Sequence, residues 1–337
     1  MKTKTTNKRR VIILGAGASR SVSYASTRSI PSPLDGDFFD LAQQHSPKDK
    51  KGPDALALKR LIRYARELLP SSHWRSMERA FYTLHLRALM ARVVGRKKRS
   101  LTEEKIVSDF ARGLQALLRG AHGRKICQHH SRLFDTLRSD DAVITFNYDL
   151  VVERAARGYY EERGLRFGPW IYGLKGSGRM TDKGGPRIFK LHGSSNWMIS
   201  GKSSLKVRMK KWEDFDDTPG YRGHSGTGTA FPIFLPFWDK RIEKKPWSEL
   251  WQTAYAQLLG ASEVLVWGYS MPPTDVKAMH FFQMALENKR SLKLCVVDPS
   301  KETRIRWREL LPDAKFWQFS DIKEFEASPP KWWGQRK

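Results

Sequence analysis

Cysteine is nearly absent from this chain, with two in 337 residues, Cys127 and Cys295. Two cannot supply a four-cysteine zinc site, and they give no disulfide framework. Cys295 falls inside an apolar run, where a thiol serves as buried filler. Long hydrophobic runs are lacking too: none approaches the roughly 20 apolar residues that a bilayer-spanning helix needs. The basic amino end leads into VIILGAGA, which breaks at a glycine turn without the longer apolar stretch and cleavage site of a signal peptide. These absences give the expectation of a soluble, cytoplasmic protein without membrane contact. Acidic residues are few beside basic ones, 35 Asp and Glu against 61 Lys and Arg, for a net charge of +26. That excess suits a polyanionic partner, either nucleic acid or an acidic protein surface, and also suits a plain solvated surface. Charge alone carries no sequence specificity.

Hydrophobic residues make up 40% of the chain, with 12 Trp and 17 Phe, enough for a substantial core and too many for a disordered segment. Five short apolar runs each end in a polar or glycine-rich tip. They are VIILGAGAS (Val11–Ser19), VITFNYD (Val143–Asp149), RIFKLHGS (Arg187–Ser194), VLVWGYS (Val264–Ser270) and LKLCVVD (Leu292–Asp298). Such runs predict the strands of an α/β sheet, whose ligands sit beyond the carboxyl ends. Between the first two runs, about residues 53–140, apolar residues recur at helical spacing, which predicts a helical insertion. Arg96–Arg99 is the densest basic cluster and is either a solvated interhelix loop or a polyanion contact. Gly- and Lys-rich sequence at Tyr172–Gly185 and Met198–Ala230 reads as flexible loop, and PWSELWQTAYAQLL and KETRIRWRELL read as helices. The organisation expected is a basic tail over 1–10, a single domain over 11–325 and a C-terminal tail over 326–337 that is an exposed end or an interaction arm.

The strand tips carry the chemistry. In GAGAS, Gly15 and Gly17 allow a tight turn and close approach of the backbone to a phosphate, although a bare strand-to-helix turn has the same look. The usual dinucleotide fingerprint has a third glycine where Arg20 stands, and an acid ending a second strand. The acids at that distance, Asp35 and Asp37, lie in proline-rich loop sequence, which disfavours hydride transfer. In TFNYD, Asn147 and Asp149 can face one cleft. Asn147 can orient a water or a ribose hydroxyl; Asp149 either supports the site or caps the helix that follows. His192 ends a strand before Gly193, and a neutral imidazole there suits a general base near pH 7. Gly268 and Ser270 let a backbone approach phosphate or ribose, and Asp298 is placed to hold a ribose hydroxyl, unless these are turn chemistry alone. No His, Cys and Asp spacing suggests a metal site.

The ordered set GAGAS, TFNYD, KLHGS, PFWDK, GYSMPPTD and VVDP resembles the sirtuin-like NAD-binding domain family, in its divergent branch from prokaryotic antiphage systems. The resemblance spans Val11 to about Pro299. It implies a Rossmann-like parallel sheet flanked by helices, the sirtuin-like or deoxyhypusine-synthase-like NAD-binding fold, with a helical insertion. Two departures from protein-deacylating sirtuins argue against deacylation: Phe146 replaces their Gln, and their four-Cys zinc ribbon is missing. The resemblance implies NAD+ as substrate, no metal, and hydrolysis to nicotinamide and ADP-ribose by an antiphage effector. It places Gly15, Ala16, Gly17 and Ser19 on the diphosphate side, Asn147 and His192 as catalytic with Asp149 supporting, and Gly268, Ser270 and Asp298 at phosphate and adenosine ribose. It also implies control by homo-oligomer formation or by a partner such as a DNA-translocase ATPase. The alternative is a non-catalytic NAD or ADP-ribose-binding module of a nucleic-acid-associated complex.

Overall fold

Fully buried apolar runs without alternation belong to strands covered on both faces, which is how parallel sheets are built. A computed structural model describes residues 8–20, 30–45, 53–95, 109, 112–114, 116–118, 120–122, 126–165, 167–173, 184–200, 204–207, 242–243, 245 and 247–334. The chain divides into two compact units, one of residues 1–22, 126–193 and 241–337, the other of 23–125 and 194–240.

The first unit holds the sheet. In chain order its elements are β1 (Arg9–Leu14), α1 (Ala16–Arg20), α2 (Gln128–Asp135), β2 (Ala142–Thr145), α3 (Val151–Glu162), β3 (Arg187–Lys190), α4 (Trp247–Leu259), β4 (Ala261–Trp267), α5 (Val276–Leu286), β5 (Lys293–Val297), α6 (Lys301–Leu310), β6 (Lys315–Phe319) and α7 (Ile322–Ala327). The six strands lie in the order β3-β2-β1-β4-β5-β6, every neighbour parallel. The order reverses between β1 and β4, which makes the crevice at their carboxyl ends a ligand position by topology. Val11, Ile13, Val264, Leu265, Val266, Leu294, Cys295 and Val296 are fully buried in the centre of the sheet.

All five expected strands are present, together with a sixth, β6, that no continuous apolar run marks in the sequence. None of its residues is buried, and Lys315 and Gln318 are exposed, as suits a strand at the edge of the sheet. Helix α2, expected within the helical insertion, belongs to the sheet unit. The carboxyl-terminal tail, expected to be an exposed end or an interaction arm, is docked on the protein at Trp333. Trp333 is buried, its ring lies 3.8 Å from the Arg10 guanidinium carbon, and its carbonyl accepts from Arg10 at 3.0 Å. Arg10 is itself fully buried; Glu263 binds it at 3.1 Å, and its amide donates to Asp141 at 2.6 Å. A guanidinium is this deep only because its donors are matched.

The second unit contains helices at Phe38–His45, Pro53–Leu68 and Met77–Val93 and an antiparallel pair, Trp197–Ser200 with Ser204–Val207. Leu58 and Leu61 are buried, and Arg60 binds Asp109 at 2.6 Å. The antiparallel pair lies where loop was expected. Arg96–Arg99 and the PFWDK motif (Pro236–Lys240) lie outside the described residues. Among the described residues no helix is long and apolar enough to cross a membrane.

Candidate functional site

The carboxyl edge of the sheet gathers the strand tips in a row: His192 beyond β3, Asn147 and Asp149 beyond β2, Gly15 to Ser19 beyond β1, Gly268 and Ser270 beyond β4, Asp298 beyond β5. The last rung between β2 and β3 pairs Thr145 with Lys190, so Asn147 and His192 each stand two residues past it.

Glycine at the β1 and β4 tips is set by contact between the two backbones. Gly17 donates to the Gly268 carbonyl at 2.9 Å and Gly15 to that of Trp267 at 3.1 Å. A Cβ on Gly15 would overlap the Gly268–Tyr269 backbone, and one on Gly268 would overlap the Gly17–Ala18 backbone. Gly268 also has φ of +63°, a conformation that side chains with a Cβ disfavour. The amides of Gly15 and Gly17 are thus engaged within the protein, and these residues shape the turn by having no side chain. Ala16, the first residue of α1, is exposed, whereas Ser19 is buried.

Asn147 anchors the middle of the row. Its Nδ2 donates to the Gly15 carbonyl at 2.8 Å and to Ser19 Oγ at 3.0 Å, fixing the amide orientation. Its Oδ1 is buried and has no hydrogen-bond partner among the described residues. An acceptor left so costs free energy unless a donor reaches it. Asp149 Oδ2 accepts from Ser19 Oγ at 2.8 Å, while its Oδ1 accepts the Val151 amide at 3.0 Å. Asp149 therefore holds both the Ser19 hydroxyl and the start of α3.

His192 is buried, with Nε2 3.0 Å from Asp275 Oδ2, an oxygen that also accepts from the Tyr269 hydroxyl at 3.0 Å. Phe146 meets the imidazole edge-on at 4.8 Å and stacks on Tyr269 at 4.2 Å. Asp275 has no distinguishing signal in the sequence; it directly precedes α5, yet its side chain makes no capping bond there. Beneath Asp149 lies a second unexpected group. Lys190 and Glu153, both fully buried, pair at 2.8 Å. Lys190 also donates to the Asp149 carbonyl, and Tyr172 donates to Glu153 at 3.0 Å. Burial pushes the Glu153 carboxyl up from its usual range, and the Lys190 ammonium opposes that.

At the far end, Asp298 Oδ1 accepts the Ser300 amide at 2.9 Å, and Ser300 caps α6. Burial raises the Asp298 carboxyl above its usual range, against the Ser300 amide, the Thr303 hydroxyl, Arg304 and Arg306. Ser270 is exposed, and Arg306 donates to its carbonyl. Among the described residues no His, Cys, Asp and Glu group has a metal-holding arrangement. Both cysteines are buried and free, and burial raises both thiols.

The sequence model of the SIR2-like domain matches residues 141–316, more than half of the chain. The chain belongs to the SIR2-like family. The matched stretch of this SIR2-like chain runs from Asp141 through β2, β3, β4 and β5 into β6, and so includes every tip residue except those of β1. No curated protein matches it. Similar solved structures include a Sir2 with a p53 peptide and NAD+, 15% identical over 95% of this chain and 90% of that one, with a TM-score of 0.42. Another is a Sir2 homologue in complex with NAD, 12% identical over 94% of this chain and 86% of that one, also with a TM-score of 0.42. The fold of this SIR2-like chain is sirtuin-like, a six-stranded parallel sheet flanked by helices.

Proposed function

We propose that this SIR2-like chain binds NAD+ beyond the carboxyl edge of its sheet and hydrolyses it to nicotinamide and ADP-ribose. The observation that carries the reading is the buried acceptor Asn147 Oδ1, fixed in orientation and lacking a protein donor among the described residues. A ribose hydroxyl or an attacking water is a donor of the right kind. The contact between the β1 and β4 tips fits a nucleotide as well, since it locks together the two strand ends between which the strand order reverses.

NAD+ supplies a cationic nicotinamide, which departs with the electron pair of its glycosidic bond and needs no general acid. Asn147 positions the water that forms the new C–O bond. His192 takes the proton from that water. The Asp275 carboxylate, accepting from Nε2, leaves the imidazole lone pair on Nδ1, which makes Nδ1 the basic atom. Asp298 and the Gly268–Ser270 turn hold the adenosine half. Resemblance to antiphage NAD+ hydrolases extends the reading to a cytoplasmic defence effector that depletes NAD+ when a partner or oligomer formation activates it.

The test incubates purified protein with NAD+, with and without candidate activators, and quantifies nicotinamide and ADP-ribose. Both products are expected in equal amounts from the wild type and neither from Asn147→Ala or His192→Ala. Turnover that survives both substitutions would sink the assignment. Tight NAD+ binding with no turnover under any activating condition would favour a binding module.

A further inference from the structure

Charges buried in full are costly, and an apolar pair of similar size in their place is often no less stable. The Lys190–Glu153 pair, fully buried in both partners, therefore asks for an explanation other than stability. Its position gives one. Lys190 Nζ holds the Asp149 carbonyl, on the loop that follows β2, from a strand whose next residues are Leu191 and His192. The Asp149 side chain holds Ser19 Oγ, and Ser19 Oγ receives Asn147 Nδ2. Glu153 holds the ammonium from α3, with the Tyr172 hydroxyl on the same carboxylate oxygen. A continuous buried run of hydrogen bonds thus joins α3 and β3 to Asn147.

We propose that Lys190 and Glu153 are positioning residues, which fix the loop bearing Asn147 and Asp149 against the strand bearing His192 and contribute little net stability. This rests on the reading of the site as an NAD+ hydrolase. Lys190 supplies three donors at one point, and Glu153 keeps that cation in place without contact with substrate. An apolar pair would fill the space and leave the Asp149 carbonyl, and through it Ser19 and Asn147, free to move.

The experiment compares wild type, the double variant Lys190→Met/Glu153→Met, and Glu153→Gln, in full-length protein. The chain has four asparagines, so asparagine-selective 15N labelling resolves the Asn147 side-chain amide, assigned by its loss in Asn147→Ala. The double variant should melt within a few degrees of wild type while kcat for NAD+ falls more than about tenfold, KM changes less than about threefold and the Asn147 amide signals shift or broaden. Glu153→Gln keeps an acceptor for Lys190 and should retain kcat within about threefold. A folded double variant with wild-type kcat or an unmoved Asn147 amide overturns the proposal. So does a double variant that cannot fold, because the pair would then be holding the fold itself. If the wild type releases no nicotinamide, the hydrolase reading fails, and the Asn147 signals alone decide the positioning role.

Discussion

His192 and Asp275 meet at 3.0 Å, Nε2 to Oδ2, from opposite halves of the sheet. His192 follows β3 on one side of the strand-order reversal, and Asp275 follows β4 on the other. Asp275→Asn keeps the shape and removes the carboxylate charge. We expect kcat for nicotinamide release to fall by about 10- to 100-fold with KM little changed, against about 100- to 10,000-fold for His192→Ala. Steady-state assays of both variants on one activated preparation check the ranking; equal activity of Asp275→Asn and wild type would remove Asp275 from the mechanism.

The Gly17–Gly268 contact allows a pair of opposite outcomes from one kind of substitution. Gly268→Ala meets the Gly17–Ala18 backbone at positive φ and should cost well over about 1 kcal/mol, with loss of soluble protein a matching sign. Gly158→Ala lies in α3 with open space around the new methyl and should gain about 0.5–1 kcal/mol. Thermal melts of the two variants should therefore move in opposite directions.

Asp298 makes a prediction about pH. Its folded carboxyl is raised by burial, so the folded state binds that proton more tightly than the unfolded chain. The associated stability is fully present below the unfolded value near 3.8 and is lost as pH rises through the folded value. Asp298→Asn removes this component, so the stability difference, wild type minus variant, should decline as pH is raised from about 4. Urea unfolding across that range measures it; a difference that grows with pH would contradict the sign.

Trp333 tests the opposite edge of the sheet. Trp333→Ala removes a buried indole and the ring beneath the Arg10 guanidinium, and should cost about 3–5 kcal/mol. Arg10 opens β1 whereas the candidate site lies past its other end, so NAD+ affinity of the folded fraction should be unchanged. Calorimetric titration on the variant separates the two effects.

The central strands were legible because burial on both faces makes VIIL, VLVW and LCVV continuous apolar runs, and their tips stood out as polar breaks. KFWQF escaped because an edge strand is half exposed and its lysine and glutamine dilute the signal. Glu153 escaped for another reason. In VVERAARGYYEE a glutamate looks like the wet face of a helix, and only the fold brings Lys190, from another element, into contact with it. Asn147 and Asp149 could be picked out from residue type and position. Which of their atoms are engaged and which is left over depends on Gly15, Ser19 and Val151, and no spacing in the sequence encodes that.

Strand β1 sits between β2 and β4, pairing Leu14 with Thr145 on one side and Trp267 on the other. During synthesis β1 leaves the ribosome before either neighbour and must wait for the far-downstream β4, and pairings so distant in sequence close slowly. Gly17 cannot meet Gly268, and Asp275 cannot reach His192, until β4 and the segment after it have emerged. A nascent chain with this topology has no assembled crevice, so under the proposed hydrolase reading the translating cell's NAD+ would be spared.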